Sequence, residues 1–423
     1  MEVTPGLRRD PLPDLDAVGE DAGLVARIHE EIERNGPMTF ARFMDLALYA
    51  PDGGYYRAEA ARPGREGDFL TAPEAHPIFG AALSRAVVDA WDRFGRPDPF
   101  VLREYGAGTG TLVVAILDGL AKERPDLGTV IRYEPIEVER RRLDTMAARL
   151  EAAGHGARLV VSASPDTPVD GFVLANEVLD ALPTHRVVQR AGGLREVMVG
   201  SRDGELVDVE ADPSTPALER RLADEGVTLA DGQRAEICLA VDGWIAATAA
   251  GVRRGVLLLI DYGYPATELY DPVRRRDGTL RAYLRHRVHD EPYLHVGRQD
   301  LTAHVDVTAV ERAAESAGLT HLGTTTQAEF LVGLGTEDLL HAIQADAATT
   351  MEDYLAVRSA LVRLLDPAAM GLFRVMAFGR DWAAGPPLAG LGYRLRDSRP
   401  VVNGAELSPA SIRARSGSTP RSA

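Results

Sequence analysis

The densest chemistry in the chain lies in eight residues, Glu104-Tyr105-Gly106-Ala107-Gly108-Thr109-Gly110-Thr111. Glycines spaced by two let a backbone turn tightly at the carboxyl end of a strand and approach a ligand closely. In open α/β sheets that end is where ligands bind. A dinucleotide fingerprint would need glycine at position 111, where Thr111 stands, and a Walker loop would need a Gly-Lys-Ser/Thr run. The pattern therefore suits a cofactor with no phosphate. S-adenosylmethionine carries an amino-acid end, a sulfonium and an adenosine. An acid at the strand tip, Glu104, can pair with the ammonium or sit near the sulfonium. Glu134, ending the next strand, is placed to accept both ribose hydroxyls, as an acid there does for a dinucleotide ribose. The alternative is a loop that merely turns a strand into a helix.

Methyl transfer from a sulfonium is an in-line displacement, in which the enzyme mainly positions the acceptor. A guanidinium acceptor is planar and cationic, and carboxylates match it by paired hydrogen bonds. Asn176-Glu177-Val178-Leu179-Asp180 ends a strand at the rim where an acceptor should lie. Glu177 and Asp180 are the candidates for acceptor orientation and proton removal; the alternative is a helix-capping Asp180 and a plain ion pair at Glu177. Asp261 ends a further strand and either lines the substrate side or caps a turn. His286, His289, His295 and His304 fall in one loop without carboxylates at ligand spacing, so no metal site is expected. Arg281 and Arg285 in that loop read equally well as solvated charges, and Asp306 as a helix cap.

These residues need a scaffold of alternating strands and helices. Helical spacing of Leu24, Val25, Ile28 and Ile32 predicts a helix over 21–34, and Thr39 caps a second through Tyr49. Pro77 opens a helix to about Phe94. Strands are expected at Phe100–Glu104, Thr129–Glu134, Arg158–Val161, Phe172–Ala175 and Val256–Asp261, with helices at 111–124, 136–153 and 244–252. Residues 185–239 read as an inserted antiparallel β unit, and 263–304 as a long loop. A helix over 307–317, a strand near 319–325, helices across 327–364 and a last strand at Phe373–Phe378 complete the pattern. Strands alternating with helices imply an α/β fold with a mostly parallel sheet. Four regions follow: a loose N-terminus over 1–19, a helical cap over 20–99, the α/β domain over 100–382 and a mostly disordered tail over 383–423.

Composition narrows the function. Of 423 residues, 45% are hydrophobic and 26% charged, as in ordinary globular chains. With 63 acids against 47 bases the formal charge is −16, which speaks against nucleic acid as a partner. The apolar run Val256–Ile260 is far short of the about 20 residues that span a membrane. Cys238 is the only cysteine, so neither disulfides nor a thiolate zinc site is expected. Asp10, Asp14 and Asp16 fit neither a secretory signal nor a transit peptide, and the expected compartment is the cytoplasm.

Several motifs, in order, resemble the MidA-type S-adenosylmethionine-dependent methyltransferases. They are Tyr49-Ala-Pro-Asp-Gly-Gly-Tyr-Tyr56, Gly67-Asp-Phe-Leu-Thr-Ala-Pro-Glu74 with Phe79-Gly80, the glycine loop, and Asn176-Glu-Val-Leu-Asp-Ala-Leu-Pro183. Leu259-Ile-Asp-Tyr-Gly263, Gly278-Thr-Leu-Arg-Ala-Tyr283 with His286, and Asp300-Leu-Thr-Ala-His-Val-Asp306 follow. Gln327 with Phe330 to Gly335, and Phe373 to Gly379, complete the set. The chain departs from the family pattern at Val178 and Leu179, where aromatics are common, and at Pro135-Ile136, where a Ser-Pro pair is usual.

The resemblance implies a Rossmann-like class I methyltransferase with a seven-stranded sheet whose last strand is antiparallel. It implies S-adenosyl-L-methionine as cofactor and a protein arginine as acceptor, on a complex I subunit for the family's mitochondrial members. It places Asp68, Thr71, Pro73 and Glu74 over the cofactor and His304 against acceptor or cofactor. Asn176 joins Glu104, Gly106, Gly108, Gly110 and Glu134 as a cofactor-binding residue; Glu177, Asp180, Asp68 and His304 form the catalytic set. The rival functions are methylation of a small molecule and a silent assembly protein with a vestigial site. The intact acids and glycines of the cofactor loop argue against the last.

Overall fold

Val256-Leu257-Leu258-Leu259-Ile260 is apolar at every position, and in the computed structural model of the chain all five are fully buried inside the central sheet. Such runs belong to inner strands covered on both faces. The structure describes residues 2–3, 18–57, 71–161 and 164–394. Asp68, most of the loose N-terminus and the tail beyond 394 lie outside them.

From one edge to the other the sheet runs Thr320–Thr326, Arg374–Arg380, Val252–Asp261, Val169–Asn176, Phe100–Tyr105 and Ile131–Ile136. Arg374–Arg380 is antiparallel to both neighbours; the pairs among Val252–Asp261, Val169–Asn176, Phe100–Tyr105 and Ile131–Ile136 are parallel. The fold is thus α/β with a mostly parallel sheet. The count is six strands among the described residues, not seven. Where the third strand was expected, Gly156–Arg158 forms a 3-10 turn, and Leu159 makes only an isolated parallel bridge to Tyr133.

Helices Ile78–Arg93, Thr111–Glu123 and Met351–Leu365 cover one face, burying Phe79, Leu83, Ile116 and Leu364 against Phe100, Leu102 and Leu258. Helices Ala240–Ala250 and Val307–Ser316 cover the other, with Ile245 and Val310 against Val173 and Leu257.

One shift in register matters for the site. Residues Pro125–Val130 form a short helix, with proline at its first turn where the missing N–H costs nothing. The next strand therefore starts at Ile131 and continues to Ile136, past the expected end at Glu134. The following helix starts only at Arg140.

Two further units rest on this core. Residues 185–237 supply a four-stranded antiparallel sheet. Helices Ala22–Asn35 and Phe40–Tyr49 bury Leu24, Phe40 and Phe43 against Ala181, Val199, Ala282 and Leu301. The region 263–304 is not bare loop, since Arg281–Leu284, Arg287–His289 and Asp300–Thr302 pair as strands. Nor is the segment after Trp382 loose from its start. Leu388 and Leu391 are buried in the main core, and Arg93 donates to the carbonyls of Pro386 and Pro387 at 2.6 and 2.8 Å.

Candidate active site

The strand Phe100–Tyr105 delivers its chain into Gly106, which has φ 67°, in the left-handed region that side chains disfavour. A Cβ there would come 2.7 Å from Val178 Cγ2, so the loop can pass close under the neighbouring strand end only as glycine. Above the loop opens a cavity of about 540 Å³. Glu104, Gly106, Gly108, Asn176, Glu177, Thr71 and Pro73 all line it; Gly110, Glu134, Asp180 and His304 do not. Gly110 instead caps helix Thr111–Glu123, where a Cβ would meet Met146 Cγ at 2.7 Å.

Three acids surround the loop in different ways. Glu104 is buried and accepts a 2.6 Å bond from the Tyr133 hydroxyl. Burial pushes its carboxyl up to about 8, with the charge of Glu137 adding to the rise and the tyrosine bond opposing it. Glu134 faces away from the cavity. It takes both Nε and Nη2 of Arg103, at 3.0 and 2.5 Å. Arg103 in turn donates to the carbonyls of Pro165 and Thr167, holding a loop whose Pro165 and Asp166 line the cavity. Glu134 thus reaches the site only through Arg103.

The acid that lines the cavity beside the glycine loop is Glu137, three residues later, which sequence reasoning missed. Its Oε2 accepts from Gly108 N at 2.8 Å, and its Oε1 lies 3.3 Å from Arg142 Nη1. The signal that would have found it is Pro125, which starts the helix that delays the strand.

At the end of the strand Val169–Asn176 the chain bends through Glu177, which is left-handed at φ 52°. Asp261 fixes that bend: its Oδ2 accepts from the backbone N–H groups of Val178, Leu179 and Asp180 at 3.1, 2.8 and 3.3 Å. It therefore caps a turn and does not line the cavity. Glu177 Oε1 accepts from Ala72 N at 3.1 Å and Asn176 Nδ2 at 2.9 Å. Burial pushes Glu177 up to about 8, with the charges of Asp180 and Glu74 raising it further. Among the described residues the buried Asn176 Oδ1 has no hydrogen-bond partner, which leaves an acceptor on a lining residue.

Asp180 and His304 stand behind this wall. The Tyr262 hydroxyl donates to Asp180 Oδ2, and burial raises the carboxyl to about 6. The His304 ring lies edge-on to Tyr262 and stacks on Tyr264; burial and the cations Arg275 and Arg281 push it down to about 4.

The cap supplies an aromatic wall that local spacing did not reveal. Tyr49 and Tyr56 stack at 5.5 Å between centroids and line the cavity. Tyr49 donates to the Ala181 carbonyl at 2.9 Å, and Tyr56 to Asp300 at 3.0 and 2.9 Å.

The donor set fits a cation without phosphates. Asp45, Glu74, Glu104, Glu137, Asp166 and Glu177 line the cavity, whereas Arg142 is held by Glu137 and the Tyr56 carbonyl. Among the described residues no group of three or more His, Cys, Asp or Glu converges to hold a metal, and no helix is long and apolar enough to cross a membrane.

Comparison with known proteins agrees. Residues 82–325 match a family described as "Putative S-adenosyl-L-methionine-dependent methyltransferase". The chain is 30% identical over 400 residues to the mitochondrial protein arginine methyltransferase NDUFAF7 homolog of Drosophila melanogaster, covering 86% of each. To the mitochondrial protein arginine methyltransferase NDUFAF7 of Homo sapiens it is 28% identical over 338 residues, covering 72% of this chain and 71% of the relative. A Burkholderia thailandensis protein solved with S-adenosyl-homocysteine is similar with a TM-score of 0.79 and 35% identity, over 90% of this chain and 97% of that one. These relatives overturn the cytoplasmic expectation, because the curated ones are mitochondrial proteins. Acidic residues near the start of a chain do not fix its compartment.

Proposed function

Given that the chain belongs to this family of S-adenosyl-L-methionine-dependent methyltransferases and takes S-adenosyl-L-methionine as its methyl donor, we propose that it methylates an arginine side chain of a protein acceptor. The observation that carries this reading is the acceptor wall: the half-buried carboxyl of Glu177 shares one cavity lining with the stacked rings of Tyr49 and Tyr56. A planar cation matches both, by hydrogen bonds to the carboxylate and by its face on an aromatic ring. The names of the curated relatives support the same acceptor, and the family resemblance points to a complex I subunit.

Bound S-adenosyl-L-methionine supplies an electrophilic methyl carbon on a cationic sulfur. Around it, Gly106 and Gly108 bring backbone close, Glu137 offers a carboxylate to the ribose hydroxyls, and Glu104 offsets the ammonium. Thr71 and Pro73 cover the cofactor, and Asn176 presents its unpaired Oδ1. Glu177 has Oε1 occupied by Ala72 and Asn176, which leaves Oε2 to orient the guanidinium. As a guanidinium nitrogen gains a methyl group it must shed one proton, and Glu177 Oε2 takes it. Once ionised, a carboxyl pushed up to about 8 is a stronger base than an ordinary glutamate. Asp180 acts from behind, through its charge on Glu177.

The test is to incubate lysate with S-adenosylmethionine labelled in the methyl group and to locate the label by mass spectrometry. Label on arginine of a protein is the expected result. Label confined to low-mass molecules overturns the acceptor class.

A further inference from the structure

Behind the acceptor wall, and separate from the main cavity, lies a second cavity of about 20 Å³, whose lining includes Asp180, Thr184 and His304. Each of these three contributes a buried polar atom with no hydrogen-bond partner among the described residues: Asp180 Oδ1, Thr184 Oγ1 and His304 Nδ1. Asp180 and Thr184 are 7% and 1% exposed, so bulk solvent does not satisfy them. A fourth lining residue, Asp306, also has a buried unpartnered oxygen, Oδ2, but its carboxyl interacts with Glu225. Buried polar groups are almost always paired, and the other three, on residues that line one space, call for a common partner. A water needs about 10–15 Å³ and two to four polar neighbours, and this space meets both conditions.

We propose that Asp180, Thr184 and His304 hold one water molecule, and that His304 is a positioning residue acting on Asp180 through it. A water can donate to Asp180 Oδ1 and pair with the threonine hydroxyl and the imidazole Nδ1 together. The two oxygens of Asp180 are then fixed from opposite sides, Oδ2 by the Tyr262 hydroxyl and Oδ1 by the water. That matters because the Asp180 charge acts on Tyr49, Tyr56 and Glu177 alike, the groups of the acceptor wall. His304 is kept from turning away by its rings of contact, Tyr262 at 5.3 Å and Tyr264 at 5.6 Å between centroids. Its backbone N–H is pinned to Thr279 Oγ1 at 3.2 Å. The site is independent of which acceptor is methylated.

The experiment compares the full-length protein with Thr184→Val, which exchanges the hydroxyl for a methyl group of the same shape, and with Thr184→Ser, which restores a hydroxyl. A high-resolution crystal structure of the wild type is expected to show one ordered water within about 2.6–3.2 Å of all three atoms. Thr184→Val loses or displaces it and Thr184→Ser regains it. In spectra of ¹⁵N-histidine-labelled protein the His304 ring signals shift in Thr184→Val and in Asp180→Asn, and return toward wild type in Thr184→Ser. A dry cavity in the wild type, a direct Asp180–His304 bond, or His304 signals indifferent to both Thr184→Val and Asp180→Asn overturns the proposal. None of these readouts needs a methyl acceptor, so their failure leaves the arginine reading standing.

Discussion

The two halves of the main cavity are built over different distances along the chain. On the cofactor half, Glu104, Gly106, Gly108 and Glu137 come from two neighbouring strands, and Gly108 meets Glu137 across 29 residues. On the acceptor half, Tyr49 reaches Ala181 across 132 residues, and Tyr56 reaches Asp300 across 244. The first half is a property of one strand–loop–helix unit and its neighbour. The second exists only when the cap, the end of strand Val169–Asn176 and the 281–302 strands have all docked. Damage should therefore separate: lesions in one half ought to strike cofactor affinity, lesions in the other turnover.

The sharpest separation is expected at Glu177. Glu177→Gln keeps the shape and the bonds to Oε1 but removes the base, so transfer should fall by about 10²–10⁴-fold. Calorimetry with S-adenosylmethionine should give wild-type affinity. Equal turnover in the variant would end the proposed role.

The paired acids Glu134 and Glu137 come next. Glu134→Ala leaves the buried Arg103 guanidinium with backbone carbonyls but no counter-charge, a loss of about 3–5 kcal/mol in folding stability, read by denaturant titration. Glu137→Gln should weaken S-adenosylmethionine binding by about 1.5–3 kcal/mol, the value of a hydrogen bond to a charged group. It should also lower the denaturation midpoint, because buried Arg142 loses its counter-charge; Glu134→Ala should leave cofactor affinity closer to wild type. If the two affinity effects are exchanged, the ribose contact belongs to Glu134.

Protonation sharpens the comparison further. Glu104 and Glu177 are pushed up to about 8 by burial, whereas an unfolded glutamate titrates near about 4.3. The stability each contributes is complete below the unfolded value and is lost as pH rises through the folded one. The melting temperature of the ligand-free protein should therefore fall between pH 5 and 8. Affinity for the cationic cofactor should rise over the upper part of that window as Glu104 ionises, and a flat affinity profile would remove Glu104 from the ammonium site. The smallest effect on activity is expected at Tyr56→Phe, which deletes the bond to Asp300 but keeps the ring. A loss of about 1.5–3 kcal/mol in folding stability, the value of a bond to a charged group, should come with only a modest rise in acceptor KM and cofactor affinity unchanged.

The same contrast sets how much of the site is legible in the sequence. The place of Glu104, Gly106 and Gly108 on the cavity was legible because each is set by its own few neighbours in sequence. Glu137 was not, because a six-residue helix at Pro125 shifts the following strand and hands the cavity to a later acid. From its place at a strand tip Asp261 could equally have been a lining acid or a turn cap. Its three backbone bonds show a carboxylate spent on bending the neighbouring chain. Tyr49 and Tyr56 stood in a recognisable motif, but nothing local could say that they would line the same cavity as Glu177, since their anchors lie far downstream. Gly110 has the spacing of a ligand-binding glycine and the surroundings of a packing one, and only Met146 decides between them.

The Tyr56–Asp300 bond also has a consequence for synthesis. The cap is made early, yet the carboxylate that anchors it appears 244 residues later. At about 5–20 residues per second, a ribosome takes on the order of tens of seconds to close that gap. Throughout the interval Phe40 and Phe43 have no Leu301 to lie against, so the nascent segment is a natural client for a chaperone that shields aromatic side chains.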